Sequence, residues 1–147
     1  MYLDQMIAHL VEQGVDTQEL KPCTEQEVQE LEQQLERRLP AAYREFLLTM
    51  GHGAGEIFQA DDCFYGDLPK IQRLANVLLA QNNVATPLPN DAFVFFYAGY
   101  QFLFFRTGEG DDPPTYYYME GDDVTNGFPR TFEHYSEFLA SSIEEYL

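Results

Sequence analysis

Basic residues are scarce in this chain of 147 residues, which has 8 Lys and Arg against 25 Asp and Glu and a formal net charge of −17. A protein that holds the phosphate backbone of a nucleic acid needs a stripe of Lys or Arg side chains, and an anionic membrane attracts the same charges. We therefore expect neither a nucleic acid nor a membrane surface to be a direct ligand of this protein.

Cysteine is equally scarce, since the chain contains only Cys23 and Cys63. No second cysteine lies at the short spacing of a zinc-binding or redox CxxC motif, and His9, His52 and His134 form no ligand pattern with them. We therefore expect no metal ion and no cofactor. The N-terminal residues also lack the basic region and the cleavage site of a signal peptide, which favours a cytoplasmic location.

Long apolar runs are absent as well. The most apolar stretch, residues 92–105, is interrupted by Gly99 and Gln101 and is shorter than the roughly 20 residues of a membrane-spanning helix. Hydrophobic residues nevertheless make up 45% of the chain and aromatic residues 15%. This is enough apolar material to build a core, and we expect a single folded domain over residues 1–147.

Apolar residues recur at helical spacing in several segments. The sequence Thr-Glu-Gln-Glu at 24–27 has the pattern of a capping box, which predicts that the second helix begins there, and Pro40 is expected to end it. Gly51 is expected to close the third helix in a left-handed conformation. The predicted helices cover residues 2–13, 24–39, 43–50, 69–81 and 132–147.

Strand-forming residues dominate three runs, 92–97, 100–106 and 115–119, and the first two are joined by a hairpin signal at 98–99. A shorter run at 56–58 is a further candidate strand. Helices followed by an antiparallel meander and a closing helix predict an α+β domain, with an antiparallel β-sheet and helices packed on it. The expected core residues are Phe46, Leu47, Phe93, Phe95, Phe102, Phe104, Phe138 and Leu139.

No joined constellation of catalytic residues is visible. Ser136, Ser141 and Ser142 lie on the last predicted helix, without the strand-to-helix turn that exposes a nucleophile. Asp61 and Asp62 precede Cys63, and neighbouring carboxylates raise the pKa of a thiol and so suppress the reactive thiolate. We therefore expect this protein not to be an enzyme.

Acidic residues are concentrated in loops, with six acids and no Lys or Arg in residues 107–129 and a second acidic run at 56–67. Such runs often serve only solubility. Here tyrosines lie beside the acids, and aromatic anchors in an acidic field suit a partner protein with a basic surface. The loops that flank strand 115–119, which spans roughly 17 Å, are expected to lie close enough for one partner to contact both. The candidate partner-binding residues are Asp61, Asp62, Tyr65, Asp67, Glu109, Asp111, Asp112, Tyr116, Glu120, Asp122 and Asp123.

The segment from Leu39 to Gly53 resembles the SUKH superfamily, which includes bacterial immunity proteins and a fungal cell-wall regulator domain. The similar features are Leu39-Pro40, the aromatic Tyr43, the apolar pair Phe46-Leu47 and the glycine-rich turn at 51–53. The acidic helix before this segment, and the strands and Phe-rich helix after it, follow the same order as in the family.

The resemblance implies an immunity protein that binds and neutralises a cognate bacterial toxin, commonly a nuclease or a deaminase. A nuclease surface must be basic to hold phosphates, so an acidic protein is suited to bind it. The alternative that the resemblance leaves open is a regulatory adaptor of cell-wall or signalling enzymes.

Overall fold

A computed structural model describes all residues of the chain, 1–147, as five α-helices, six β-strands and two short 3₁₀ turns. The helices are α1 (Asp4–Glu12), α2 (Glu25–Leu35), α3 (Ala41–Met50), α4 (Leu68–Gln81) and α5 (Tyr135–Glu144). The strands are β1 (Leu20–Lys21), β2 (Gly53–Ala54), β3 (Ala92–Ala98), β4 (Gln101–Arg106), β5 (Thr115–Met119) and β6 (Arg130–Phe132). None of the helices combines the length and the apolar character that crossing a membrane requires.

The main sheet is an antiparallel meander with the strand order β3-β4-β5-β6, and β1 and β2 form a separate antiparallel pair. Strands β3 and β4 are joined by a two-residue turn, because Ala98 pairs with Gln101. Gly99 adopts a φ of +65° in this turn, which a hairpin of this length requires. The predicted α+β class, with helices on an antiparallel sheet, is confirmed.

Both faces of the sheet are buried by aromatic side chains. On one face, the Phe105 ring lies 5.1 Å from Tyr43 of α3, and the Phe95 ring lies 5.1 Å from Tyr135 of α5. On the other face, the Phe104 ring stacks on Tyr116 at 5.2 Å. The predicted core residues are confirmed as buried, and they belong to one continuous hydrophobic cluster. That cluster also contains Leu3, Met6 and Leu10 from the N-terminal segment.

A β-bulge in β3 increases the contact between the sheet and α5. The register of β3 against β4 shifts between Val94 and Phe96, so successive side chains no longer alternate strictly between the two faces. As a result, Phe95 and Phe96 both contact Phe138 of α5, with ring centroids 5.0 Å and 5.9 Å away.

The outer edge of β3 is closed by groups from other parts of the chain. The Gln72 side chain of α4 donates to the Val94 carbonyl at 2.6 Å and accepts from the Val94 N–H at 2.9 Å. Further along, the backbone of Asp62 pairs with that of Tyr97 in an isolated β-bridge. These contacts satisfy backbone groups that would otherwise be available for pairing with another chain.

Two expectations about helix ends are wrong. Helix α2 ends at Leu35 rather than Leu39, because Glu36 takes a left-handed conformation with a φ of +54°. Gly51 has a right-handed conformation, with a φ of −62°. A glycine is required here by close packing, because an added Cβ would lie 2.4 Å from the Cys23 sulfur.

The expected strand at 56–58 is also wrong, because these residues form turns and Phe58 has a left-handed φ of +58°, which an extended strand does not allow. The short strand in this region is Gly53–Ala54, which pairs with Leu20–Lys21. The last helix begins at Tyr135 rather than at residue 132, because Arg130–Phe132 extends the main sheet as β6.

Candidate partner-binding site

The candidate binding residues lie in three loops at different places around the main sheet, except Tyr116, which lies in strand β5. The Glu120 N–H donates to the Tyr100 carbonyl at 2.9 Å, which places the 120–129 loop beside the β3–β4 turn. We call residues 98–101 and 119–123 the hairpin end. The 107–114 loop leaves the opposite end of β5, where the Thr107 N–H donates to the Asp91 carbonyl at 2.9 Å. We call residues 91 and 106–112 the Asp91 end.

The third loop, 61–67, lies along the outer edge of β3, and its acids are engaged within the protein. Asp62 and Asp67 both pair with the Lys70 ammonium, at 3.3 Å and 3.8 Å. The Asp61 carboxylate accepts a hydrogen bond from the Tyr146 hydroxyl at 3.2 Å. Burial raises the pKa of Asp61, and the nearby negative charge of Asp62 raises it further. The hydrogen bond from Tyr146 acts in the opposite direction and only partly offsets this rise in the pKa.

Tyr65 in the same loop is half-buried. Its hydroxyl donates to the Glu27 carbonyl at 3.3 Å, and its ring meets the His52 ring edge-on with the centroids 5.3 Å apart. Burial raises the pKa of Tyr65, with a smaller contribution from Glu27. This side chain therefore packs the loop onto the start of α2 and leaves only part of its surface for a partner.

Tyr116, near the start of β5, is hydrogen-bonded to Glu109 of the Asp91 end. The Tyr116 hydroxyl donates to the Glu109 carboxylate at 2.8 Å, and the Arg130 guanidinium lies 5.7 Å from the centre of the Tyr116 ring. Asp111 is exposed, and its carboxylate makes no hydrogen bond or ion pair within the protein, although its carbonyl accepts from the Ala42 N–H at 2.9 Å. Of these acids, Asp111 is the one most available to a partner.

The hairpin end presents exposed apolar side chains among acids. Tyr100 and Met119 are 69% and 43% exposed, and they line a shallow cleft of about 320 Å³ together with Glu120. Asp122 and Asp123 follow in the adjoining loop, where their carboxylates accept the N–H groups of Met119 and Thr125 at 2.9 Å and 3.0 Å. Large exposed side chains of this kind, close to acids, are typical anchors of a protein interface.

Tyr100 is absent from the residues predicted from the sequence. Its position after Gly99 in a two-residue turn is the signal that identifies it, because a side chain at the tip of such a turn projects beyond the sheet. Its neighbour Met119, which pairs with Gln101 across the strands, is the last residue of β5 and is also exposed.

The fold also brings together three potential metal ligands that are distant in sequence. The His52 Nε2 lies 2.8 Å from the Glu27 Oε2, and the Cys23 sulfur lies within 4.8 Å of both ligand groups. Burial raises the pKa of Cys23 to about 12, and the Glu27 charge adds to this, so the thiol is protonated at neutral pH and is a poor nucleophile. The sequence analysis missed this cluster because Glu27 and His52 are 25 positions apart.

Comparison with known families identifies the class of protein that this fold represents. The model of the SMI1 / KNR4 family (SUKH-1) matches residues 22–147, and the chain therefore belongs to this family. The match includes the Leu39–Gly53 segment, so the resemblance predicted from the sequence is confirmed. Membership is consistent with an immunity or regulatory domain. A search of curated proteins finds no significant match.

Proposed function

We propose that this chain is a cytoplasmic, non-enzymatic immunity protein that binds a cognate bacterial toxin of the nuclease or deaminase class and neutralises it. The observation that carries the proposal is the hairpin end, where Tyr100 and Met119 are exposed beside Glu120. Family membership over residues 22–147 supports the same class of function.

The charge of the chain favours a partner with a basic surface. A net charge of −17 produces a long-range field that attracts a cationic protein and raises the rate of encounter. A nuclease carries such a surface because it must hold phosphate groups. Basic residues of the toxin would meet the acids of the 119–123 loop, while Tyr100 and Met119 would provide the desolvated contacts that slow dissociation.

Co-expression tests this proposal. Each nuclease or deaminase toxin encoded beside the gene is expressed with or without this protein, and growth is followed together with the toxin's activity after purification. We expect growth to be restored and the activity to fall to background at one equivalent of inhibitor. The double variant Tyr100→Ala/Met119→Ala should lose protection.

The matched control replaces exposed apolar side chains elsewhere on the surface. Tyr2 and Val11 are 41% and 54% exposed on the N-terminal segment, and Tyr2→Ala/Val11→Ala should protect as well as the unchanged chain. Loss of protection in the control alone would place the site at the N-terminal segment. A partner that binds but keeps its activity would instead favour the regulatory adaptor.

A further inference from the structure

The cluster of Cys23, Glu27 and His52 has the ligand atoms of a zinc-type metal site. Zinc is bound in proteins by cysteine sulfur, imidazole nitrogen and carboxylate oxygen, at bond lengths of about 2.0–2.3 Å. With these lengths, ligand atoms around a tetrahedral ion lie about 3.3–3.6 Å apart. The three ligand atoms here are all within 4.8 Å of one another, so side-chain movements of about 1 Å bring them to bonding distance of a single ion.

Backbone hydrogen bonds hold two of the three ligands in place. The Cys23 N–H donates to the Leu47 carbonyl at 2.8 Å, and the His52 N–H donates to the Lys21 carbonyl at 2.8 Å. These bonds join the segment before α2 to the end of α3 and the turn after it. Gly51 leaves the space that the Cys23 sulfur occupies, since an added Cβ would lie 2.4 Å from it.

Glu27 is positioned by the capping box of α2 and keeps one oxygen for a ligand. Its Oε1 accepts the Thr24 N–H at 2.9 Å, while Thr24 accepts the Glu27 N–H at 3.1 Å. Both carboxylate oxygens lie close to the His52 Nε2, with Oε1 at 3.0 Å and Oε2 at 2.8 Å, and Oε2 has no other hydrogen-bond partner. A metal ion bound between Oε2 and Nε2 therefore leaves the capping box intact.

The cluster also has the charge and the access that a divalent ion needs. A Cys23 thiolate and the Glu27 carboxylate together neutralise two positive charges, and the thiol loses its proton to the solvent when the metal binds. The Cys23 sulfur closes the inner side, while His52 and Glu27 are 39% and 29% exposed on the outer side. The fourth position of a tetrahedral ion would thus be open to water.

We propose that Cys23, Glu27 and His52 form a binding site for one divalent metal ion of the zinc type, which links the start of α2 to the turn after α3. This site is separate from the hairpin end and does not depend on the proposed function.

The chain contains matched controls for this proposal. His9 and Glu144 form another His–Glu pair at 2.8 Å, with no cysteine in the cluster. Cys63 is the other buried cysteine and belongs to no group of metal ligands. If any exposed His–Glu pair or any buried thiol sufficed to bind the ion, these residues would bind it as well.

The test uses the full chain after treatment with a chelator. Titration with Co²⁺ should produce a sulfur-to-cobalt charge-transfer band in the near ultraviolet, and calorimetry with Zn²⁺ should give one ion per chain with release of protons to the buffer. Cys23→Ser and His52→Ala should each weaken Zn²⁺ binding by at least about tenfold, whereas His9→Ala and Cys63→Ser should leave it unchanged. His52→Ala alters an exposed side chain, so its effect can be measured in a folded protein even if Cys23→Ser destabilises the core.

Three results would overturn the proposal. The first is the absence of a sulfur-to-cobalt band in the unchanged chain, and the second is wild-type Zn²⁺ affinity in His52→Ala. The third is a loss of binding in His9→Ala of the same size as in His52→Ala, which would indicate only nonspecific binding by surface histidines.

Discussion

The carboxylate of Asp112 accepts a hydrogen bond from the backbone N–H of Ser136 at 2.9 Å and a second one from the Ser136 hydroxyl. Ser136 lies in the first turn of α5, whose N-cap residue, His134, supplies no side-chain acceptor to that turn. A helix begins with N–H groups that have no partner inside the helix. Asp112 provides such a hydrogen-bond partner from the 107–114 loop and thereby connects the Asp91 end of the sheet to α5.

Replacing Asp112 should therefore destabilise the fold, whereas replacing its neighbour should not. We expect Asp112→Ala to lower the free energy of unfolding by about 1–2 kcal/mol, as for the loss of a helix cap. Asp111→Ala removes an exposed carboxylate without a partner and should stay within about 0.5 kcal/mol of the unchanged chain. Urea denaturation measures both variants, and equal effects would contradict the capping role.

Alanine substitutions at two glycines separate the effect of close packing on stability from the effect of losing backbone flexibility. In Gly51→Ala the added Cβ would lie 2.4 Å from the Cys23 sulfur and 2.6 Å from the Leu47 carbonyl oxygen, and such overpacking costs about 1–3 kcal/mol. Gly66→Ala is the control, because no atom lies within 4 Å of its added Cβ. Thermal unfolding should show a lower midpoint for Gly51→Ala and an unchanged or slightly higher one for Gly66→Ala.

The Tyr43 hydroxyl is buried and has no hydrogen-bond partner, and burial raises the pKa of this tyrosine well above 10.0. A buried hydroxyl without a partner costs desolvation free energy, so Tyr43→Phe should leave stability unchanged or increase it by about 1 kcal/mol. Tyr116→Phe loses the 2.8 Å hydrogen bond to Glu109 and should lose about 0.5–1.5 kcal/mol. A marked loss in Tyr43→Phe would mean that its hydroxyl does have a polar partner.

The ion pair between Asp91 and Arg106, at 2.7 Å, should make stability depend on pH. Partial burial raises the pKa of Asp91, but the Arg106 hydrogen bond and the Gly108 N–H outweigh it and hold the pKa below 3.8. A carboxyl whose pKa is lowered by folding stabilises the protein above its unfolded pKa and loses this effect as the pH falls through the folded value. Asp91→Asn should cost about 0.5–1 kcal/mol at pH 7. The difference should shrink steadily below pH 3.8 in acid titrations of unfolding, and a difference independent of pH would exclude the charge as its cause.

The sequence predicts those parts of the fold that depend on local patterns. The capping box of Thr24 and Glu27 is confirmed with both of its hydrogen bonds, and the three long strands lie within one residue of their predicted bounds. Strands of two or three residues have no periodicity to detect. Leu20–Lys21 pairs with Gly53–Ala54 across the packed helices α2 and α3, far apart in sequence. Phe132 of β6 also fits the apolar spacing of the helix that follows.

The candidate site is less predictable, because its chemistry depends on exposure. Asp111 and Asp112 are adjacent acids of one loop, yet one faces solvent and the other holds α5. Tyr100 carries no charge, and only the hairpin geometry indicates that it is exposed. Cys23 and His52 come close together through the packing of α2 against α3. Residue spacing along the sequence carries no information about this packing.

The two acidic ends of the sheet should contribute differently to binding of the proposed toxin partner. We expect Glu120→Gln/Asp122→Asn/Asp123→Asn, at the hairpin end, to slow association and to flatten its dependence on salt, because exposed charges act through a field screened over about 8–10 Å. The amide variants keep an oxygen for the turn N–H groups, so the fold should be retained.

The comparison variant at the other end is Glu109→Gln/Asp111→Asn, which removes two charges rather than three and should associate at nearly the rate of the unchanged chain. Tyr100→Ala should instead raise the dissociation rate, since a desolvated aromatic contact is lost after the complex has formed. Surface plasmon resonance with the proposed toxin partner across a salt series measures both rates. If the Asp91-end variant slows association more than the hairpin-end variant does, the binding surface lies at the Asp91 end. If neither variant changes the association rate, the acids serve only solubility.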